Sequence, residues 1–117
     1  LESLSITDQL TGLYNRRHFE YVFIQQLKRC QREQCYFSLI MLDIDYFKKL
    51  NDKYGHSVGD VALREVAQAI KAFCKRPEDF SFRLGGEEFC IITSSLNNEK
   101  TFAFADKLSN EIVKTAP

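Results

Sequence analysis

Two apolar runs, Phe80-Ser81-Phe82 and Phe89-Cys90-Ile91-Ile92-Thr93, are separated by Arg83-Leu84-Gly85-Gly86-Glu87-Glu88. Both runs read as strands, and Gly-Gly between them tolerates the positive φ of a tight turn at no steric cost, so the segment predicts a β-hairpin. A hairpin commits the chain to antiparallel pairing and obliges the remaining elements to cover it. Its tip carries charge. Adjacent Glu87 and Glu88 repel each other, and a bound cation would relieve that repulsion. The missing Cβ atoms of Gly85 and Gly86 leave room for another molecule's backbone or phosphate. A plain solvated turn would accept the same four residues, so a second site is needed to choose between the readings.

At 117 residues the chain is expected to form one domain over residues 1–117, burying roughly two thirds of its unfolded surface without staples. The 16 Lys and Arg balance 16 Asp and Glu, which excludes a nucleic-acid partner or direct membrane contact held by a broad electrostatic field. Any phosphate chemistry must be local. Cys30, Cys35, Cys74 and Cys90 show neither a CxxC pair nor zinc spacing and read as reduced thiols of a cytoplasmic domain. There is no signal peptide or apolar run of membrane length, and the chain begins at Leu1, as a piece of a larger soluble or membrane-bound sensor would.

Leu1, Leu4 and Ile6 suggest the end of a helix arriving from upstream over residues 1–7, followed by a turn-rich segment from Thr7 to Asn15. From Arg16, Phe19, Val22, Phe23, Leu27 and Cys30 recur at helical steps, with His18 on the surface. The apolar run from Tyr36 to Leu42 predicts a central strand covered on both faces. Asp43 to Asp52 turns into a short helix; Leu63, Val66, Ala67, Ile70, Phe73 and Cys74 mark a second, stopping at Lys75-Arg76-Pro77. After the hairpin, Leu96 to Lys100 reads as a polar loop, and Phe102, Ala105, Leu108 and Ile112 as the apolar face of a last helix. The order helix, strand, helix, helix, strand, strand, helix predicts an α/β sandwich, one sheet with helices packed against it. A terminal helix with nothing after it suggests a further strand beyond Pro117.

Asp43 and Asp45 stand at the carboxyl end of the first strand, where open α/β sheets place their ligands. If the hairpin pairs beside that strand, Glu87 and Asp43 come within reach of one cation, and Mg²⁺ (or Mn²⁺) suits a pair of carboxylates completed by substrate phosphates. The helix opening near Tyr46 and Phe47 would aim free N–H groups at the same place, which suits an anion. Together these features point to a nucleoside triphosphate. The bland account of Asp43 and Asp45 is a favourable charge at a helix N-terminus, about 0.3–1 kcal/mol. It explains one acid and leaves the second acidic cluster unexplained.

Asp43-Ile44-Asp45-Tyr46-Phe47-Lys48-Lys49-Leu50-Asn51-Asp52, then Tyr54-Gly55-His56 with Gly59-Asp60, then Gly85-Gly86-Glu87-Glu88-Phe89, resemble in order the GGDEF domain of bacterial diguanylate cyclases, here in a GGEEF form. Asp8-Gln9-Leu10-Thr11-Gly12-Leu13 and Asn15-Arg16-Arg17 resemble the opening motif of the same family. The resemblance implies a fold with a mainly antiparallel central sheet flanked by helices, palm-like as in nucleotidyl cyclases and polymerases, with a ferredoxin-like core. It implies that Asp43, Glu87 and the Ile44 carbonyl bind Mg²⁺. Asn51 and Asp60 would hold the guanine edge of GTP, and Gly85 and Gly86 would lie against its phosphates, near the Phe47 end of the helix. Lys48 is either a phosphate contact or a solvated lysine, and Glu88 would position or deprotonate the attacking 3′-hydroxyl.

The implied reaction joins two GTP molecules into cyclic di-GMP with release of pyrophosphate, in a homodimer whose two domains face each other. Arg76 and Asp79 match the Arg-x-x-Asp register of a product-binding inhibitory site, although the same residues make an ordinary helix stop. The family continues past this end with a strand and a helix bearing a basic phosphate clamp. These residues are therefore expected to be part of an enzyme whose C-terminally extended form is the more active. The alternatives are a non-catalytic GGDEF module that binds GTP or cyclic di-GMP as a receptor, against which the intact Gly85 to Phe89 motif argues, and a plain interaction domain with solvated acids.

Overall fold

The computed structural model describes residues 5–94 and 98–115. The elements are α1 (Arg16–Glu33), β1 (Phe37–Asp43), α2 (Phe47–Tyr54), α3 (His56–Phe73), β2 (Phe80–Gly85), β3 (Glu88–Ser94) and α4 (Asn98–Thr115). Among the described residues the strands form one antiparallel sheet in the order β1-β3-β2.

β3 occupies the middle because the hairpin turn delivers it against β2 while its other edge pairs with β1. Its side chains alternate between two cores, as the two-residue period of a strand requires. Phe89 and Ile91 pack with Leu63, Val66, Ala67 and Ile70 of α3, Leu108 of α4 and Ile40 of β1. Cys90 and Ile92 point the other way and pack with Phe82 and with Val22 of α1, where Phe19, Phe23, Phe37 and Phe80 close the layer. α1 thus covers one face and α3 with α4 the other. Phe82 is fully enclosed, with the Phe19 ring meeting it edge-on at 5.3 Å.

Several expectations are corrected. The run from Tyr36 to Leu42, expected to be covered on both faces, is not: among the described residues β1 pairs only with β3, and Leu39 is 42% and Met41 52% exposed on the α1 side. A continuous apolar run lacks the alternation that distinguishes one covered face from two, so it does not record that one face stays open. Leu27 and Phe102, expected on apolar faces, are exposed because α1 and α4 bury narrower stripes than their sequences offer. Residues 98–100, expected in a loop, already belong to α4. Residues 5–7 are not helical: Thr7 bridges Tyr14, which in turn bridges Phe82, stitching the opening segment to the hairpin, while residues 1–4 lie outside the described set. His18, expected on the surface, is half-buried against the Tyr14 and Tyr21 rings.

The helix ends follow local chemistry. Asn15 caps α1 by accepting from the His18 N–H at 3.1 Å, and Gln34 in the left-handed region closes it. α3 stops at Phe73 ahead of Pro77, as expected.

Truncating Phe82 to alanine should cost about 3–5 kcal/mol in urea unfolding, since the aromatic core against α1 would be left with a cavity. Leu39→Ala, on the open side of β1, should change stability by less than about 0.5 kcal/mol. Similar losses for both would refute the open face of β1.

Candidate active site

The acids meet where the β1 and β3 ladder ends. Asp43 is directly opposite Glu88 on the last rung, and the Ile44 N–H donates to the Glu87 carbonyl at 3.4 Å. Antiparallel pairing therefore brings the backbone of Asp43 and Ile44 against that of Glu87 and Glu88, at one end of the sheet. Like charges on one rung are destabilising. No ion pair among the described residues reaches Asp43, Asp45, Glu87 or Glu88. No three His, Cys, Asp or Glu side chains among the described residues converge as a ready-made cation cage. Two uncompensated carboxylates beside a peptide carbonyl fit a hard divalent ion such as Mg²⁺ or Mn²⁺, which takes its remaining oxygens from phosphate or water. The residues present are therefore compatible with the expected metal.

The turn beside them is built for access. Gly85 and Gly86 take φ of 152° and 52°, and a Cβ at either position would meet no heavy atom within 4 Å, so the space over the turn is open. What holds this turn is a contact that motif reading missed. Arg83 donates through Nε to the Gly86 carbonyl at 3.0 Å and through Nη1 to both carboxylate oxygens of Asp8 at 3.3 Å. Asp8 also accepts from the Thr11 N–H at 3.0 Å and its hydroxyl at 2.7 Å. The opening segment is thus latched to the hairpin tip. Burial pushes the Asp8 carboxyl up, but the Thr11 hydrogen bonds and the Arg83 guanidinium outweigh it and hold the group below the usual carboxylate range. The sequence signal was present in the Asp8 and Arg83 of the two motifs, but pairing across such a separation cannot be read from spacing.

Asn51 on α2 packs closely against Gly59 of α3, the residue before Asp60. A Cβ on buried Gly59 would lie 1.8 Å from Asn51 Oδ1, so only glycine admits Asn51 there. That oxygen is buried and has no hydrogen-bond partner among the described residues. An orphaned buried acceptor is costly, about 1–3 kcal/mol, unless a ligand serves it. α2 begins at Phe47, and Tyr46 before it adopts φ 60° without a side-chain cap, leaving the first N–H groups of the helix uncapped. Phe47 is half-buried against the α3 and α4 core, whereas Lys48 is exposed.

A cleft of about 590 Å³ opens beside the acids, with Asp43 and Asp45 in its lining and Val58, Val61, Val66 and Ile112 among its walls. Asn51, Asp60, Gly85 and Glu87 do not line it. Its aliphatic walls offer few hydrogen bonds to a triphosphate, so the polar chemistry belongs to the acidic rung and the open turn.

Arg76 and Asp79 are brought together and bind each other. Asp79, 1% exposed, accepts from Arg76 Nη2 at 3.0 Å, Arg76 Nε at 3.3 Å and the Thr93 hydroxyl at 2.5 Å. Arg76 Nη2 also donates to Thr93 Oγ1 at 2.7 Å, and the guanidinium lies 5.6 Å from the Phe104 ring centre. The pair is therefore a clasp between the α3 terminus, β3 and α4, with the Arg76 side chain still 39% exposed.

The family described as "Diguanylate cyclase, GGDEF domain" matches residues 5–116. Among curated proteins, the chain is 48% identical over 85 residues to the diguanylate cyclase DgcS of Shewanella oneidensis, covering 73% of this chain and 28% of the relative. It is 35% identical over 108 residues to the diguanylate cyclase DosC of Escherichia coli, covering 92% of this chain and 23% of that protein. The chain thus spans about a quarter of the length of these relatives. Among solved structures, the GGDEF domain of DgcB from Caulobacter crescentus in complex with c-di-GMP superposes with a TM-score of 0.85 at 31% identity, covering 92% of this chain and 63% of that one. SiaD from Pseudomonas aeruginosa, a diguanylate cyclase in complex with its activator SiaC, gives 0.86 at 36% identity, covering 92% and 41%. These likenesses bear out the α+β, palm-like fold expected from the sequence.

The Asp8 latch makes an acid-sensitive contribution. Its folded value is depressed, so the stability it supplies is fully present above the unfolded carboxylate range and is lost as pH falls through the folded value. Asp8→Asn should therefore lower stability at neutral pH and flatten the acid limb of the pH–stability curve, measured by chemical denaturation. An acid limb unchanged from the parent would refute the latch.

Proposed function

This chain belongs to the GGDEF domain family, and on that basis we propose that it is the nucleotide-binding and catalytic domain of a diguanylate cyclase, condensing two GTP molecules into cyclic di-GMP. The observation that carries the reading is the acidic rung: Asp43 faces Glu88 while the Ile44 amide lies on the Glu87 carbonyl, with no counter-ion among the described residues. Relatives named diguanylate cyclases, and a solved GGDEF domain in complex with c-di-GMP, support the same substrate and product class.

In this proposal Asp43, Glu87 and the Ile44 carbonyl hold Mg²⁺, which supplies charge neutralisation to the triphosphate. Gly85 and Gly86 admit the phosphates along the open turn, and the uncapped N–H groups at Phe47 donate to them. Lys48, exposed beside that terminus, adds a mobile positive charge. The Asn51 Oδ1 atom takes a hydrogen bond from the guanine edge, and Asp60 accepts from the ring and exocyclic N–H groups. Glu88 positions the 3′-hydroxyl of one nucleotide and receives its proton as it attacks the α-phosphate of the other, breaking the bond between the α- and β-phosphates and releasing pyrophosphate. Each domain holds one GTP, so the active species is a homodimer and an isolated monomer is idle.

Arg76 and Asp79 form the product site in the same proposal. The exposed edge of the Arg76 guanidinium suits a phosphate of cyclic di-GMP, and the aromatic ring of Phe104 beneath it fixes the guanidinium plane. Binding there must compete with the internal pairing to Asp79. A product that draws Arg76 outward would loosen the clasp between α3, β3 and α4.

Incubating the protein, in its C-terminally extended form, with GTP and Mg²⁺ should yield cyclic di-GMP by mass spectrometry. Glu87→Ala should reduce turnover by at least about a hundredfold with the fold retained. Undiminished turnover would remove Glu87 from the mechanism. Arg76→Ala should weaken cyclic di-GMP binding by roughly tenfold or more, as expected for lost charge-assisted hydrogen bonds. A lowered unfolding midpoint with unchanged product affinity would leave the pair a structural clasp only.

A further inference from the structure

The end of α1 brings two thiols together. Gln34 takes the left-handed conformation with φ 54° and ψ 47°, and its N–H donates to the Cys30 carbonyl. The Cys35 N–H donates to the same carbonyl at 3.0 Å. This helix ending folds the residue after the left-handed one back over the last turn, where two apolar side chains ordinarily meet. Here both are cysteines. Their Sγ atoms are 2.8 Å apart, and both are free thiols.

The two sulfurs have different surroundings. Cys30 is buried, and burial followed by the neighbouring Cys35 pushes its thiol up. Cys35 is half-exposed, and the Arg29 guanidinium lies 3.5 Å from its Sγ. An accessible sulfur beside a cation, backed by a second sulfur within reach, is the arrangement of an attacking and a resolving thiol. Cys74 and Cys90 lack any such partner, and burial pushes each of them up to about 12.

We propose that Cys30 and Cys35 form a redox-active dithiol, which a low-molecular-weight disulfide such as oxidised glutathione converts to an intramolecular disulfide. The Cys35 thiolate attacks one glutathione sulfur; the glutathione S–S bond breaks and one glutathione thiolate leaves. Cys30 gives its proton to water, attacks Cys35 Sγ and expels the second glutathione thiolate. Both cysteines are oxidised, one glutathione disulfide is reduced to two thiols, and the protons lost by the cysteines are taken up by the leaving groups. The new bond closes a short loop, so it contributes little chain-entropy stabilisation and acts locally, fastening the α1 cap to the start of β1.

The test equilibrates the purified protein across glutathione redox buffers, quenches by alkylation and maps the peptides by mass spectrometry. A Cys30–Cys35 crosslink, with Cys74 and Cys90 recovered as alkylated free thiols, is expected. Cys30→Ser should convert the crosslink into a persistent glutathione adduct on Cys35, and Cys35→Ser should leave Cys30 unmodified. Absence of the crosslink at every buffer ratio, a bond to Cys74 or Cys90 instead, or equal glutathione adducts in the two variants would overturn the proposal. The wild-type crosslink is read without any substitution, so poor folding of a variant does not shield it.

Discussion

The register between β1 and β3 is the constraint on which the rest depends. Because side chains alternate with a period of two, a slip of one residue would turn Ile40 out of the α3 core and Leu39 into it, and would separate Asp43 from Glu88. The hydrophobic sorting that selects the register is therefore the same event that assembles the acids. Burial on both faces of β3 supplies the driving force, and the cost is a rung of like charges at the sheet's end, where water and ions have access.

Much of this was legible in the sequence because it is carried by local chemistry. The Gly-Gly turn, the helical spacing of Leu63, Val66, Ala67 and Ile70, and the proline after α3 each specify an element without reference to anything distant. The acidic site was legible for the same reason: Asp43 ends a strand and Glu87 ends a turn, and pairing of the two strands brings their termini together. The open face of β1 was not legible. Leu39 and Met41 are as apolar as Ile40 and Leu42, and nothing within the run from Tyr36 to Leu42 records which residues find a covering layer.

Contacts between side chains far apart in the chain were equally silent. Asp8 reads as a turn former and Arg83 as a strand flank, yet together they hold the Gly86 carbonyl and tie the opening segment to the hairpin tip. Arg76 and Asp79 read as a ligand motif or a helix stop, and the structure adds Thr93 and Phe104, one from β3 and one from α4, which no spacing rule connects to them. Cys35, which reads as another reduced thiol, owes its pairing with Cys30 to a left-handed glutamine that propensity does not anticipate.

The contact of Gly59 with Asn51 couples two helices at single-atom clearance. In the proposed function Asn51 supplies the recognition group and Gly59 supplies only room, so substitutions at the two positions are not independent. A lineage that enlarged position 59 would have to shorten or abandon the amide at position 51. If Asn51 reads the base as proposed, base discrimination would be lost through a change that touches no nucleotide, and the acids at the sheet's end would survive it intact.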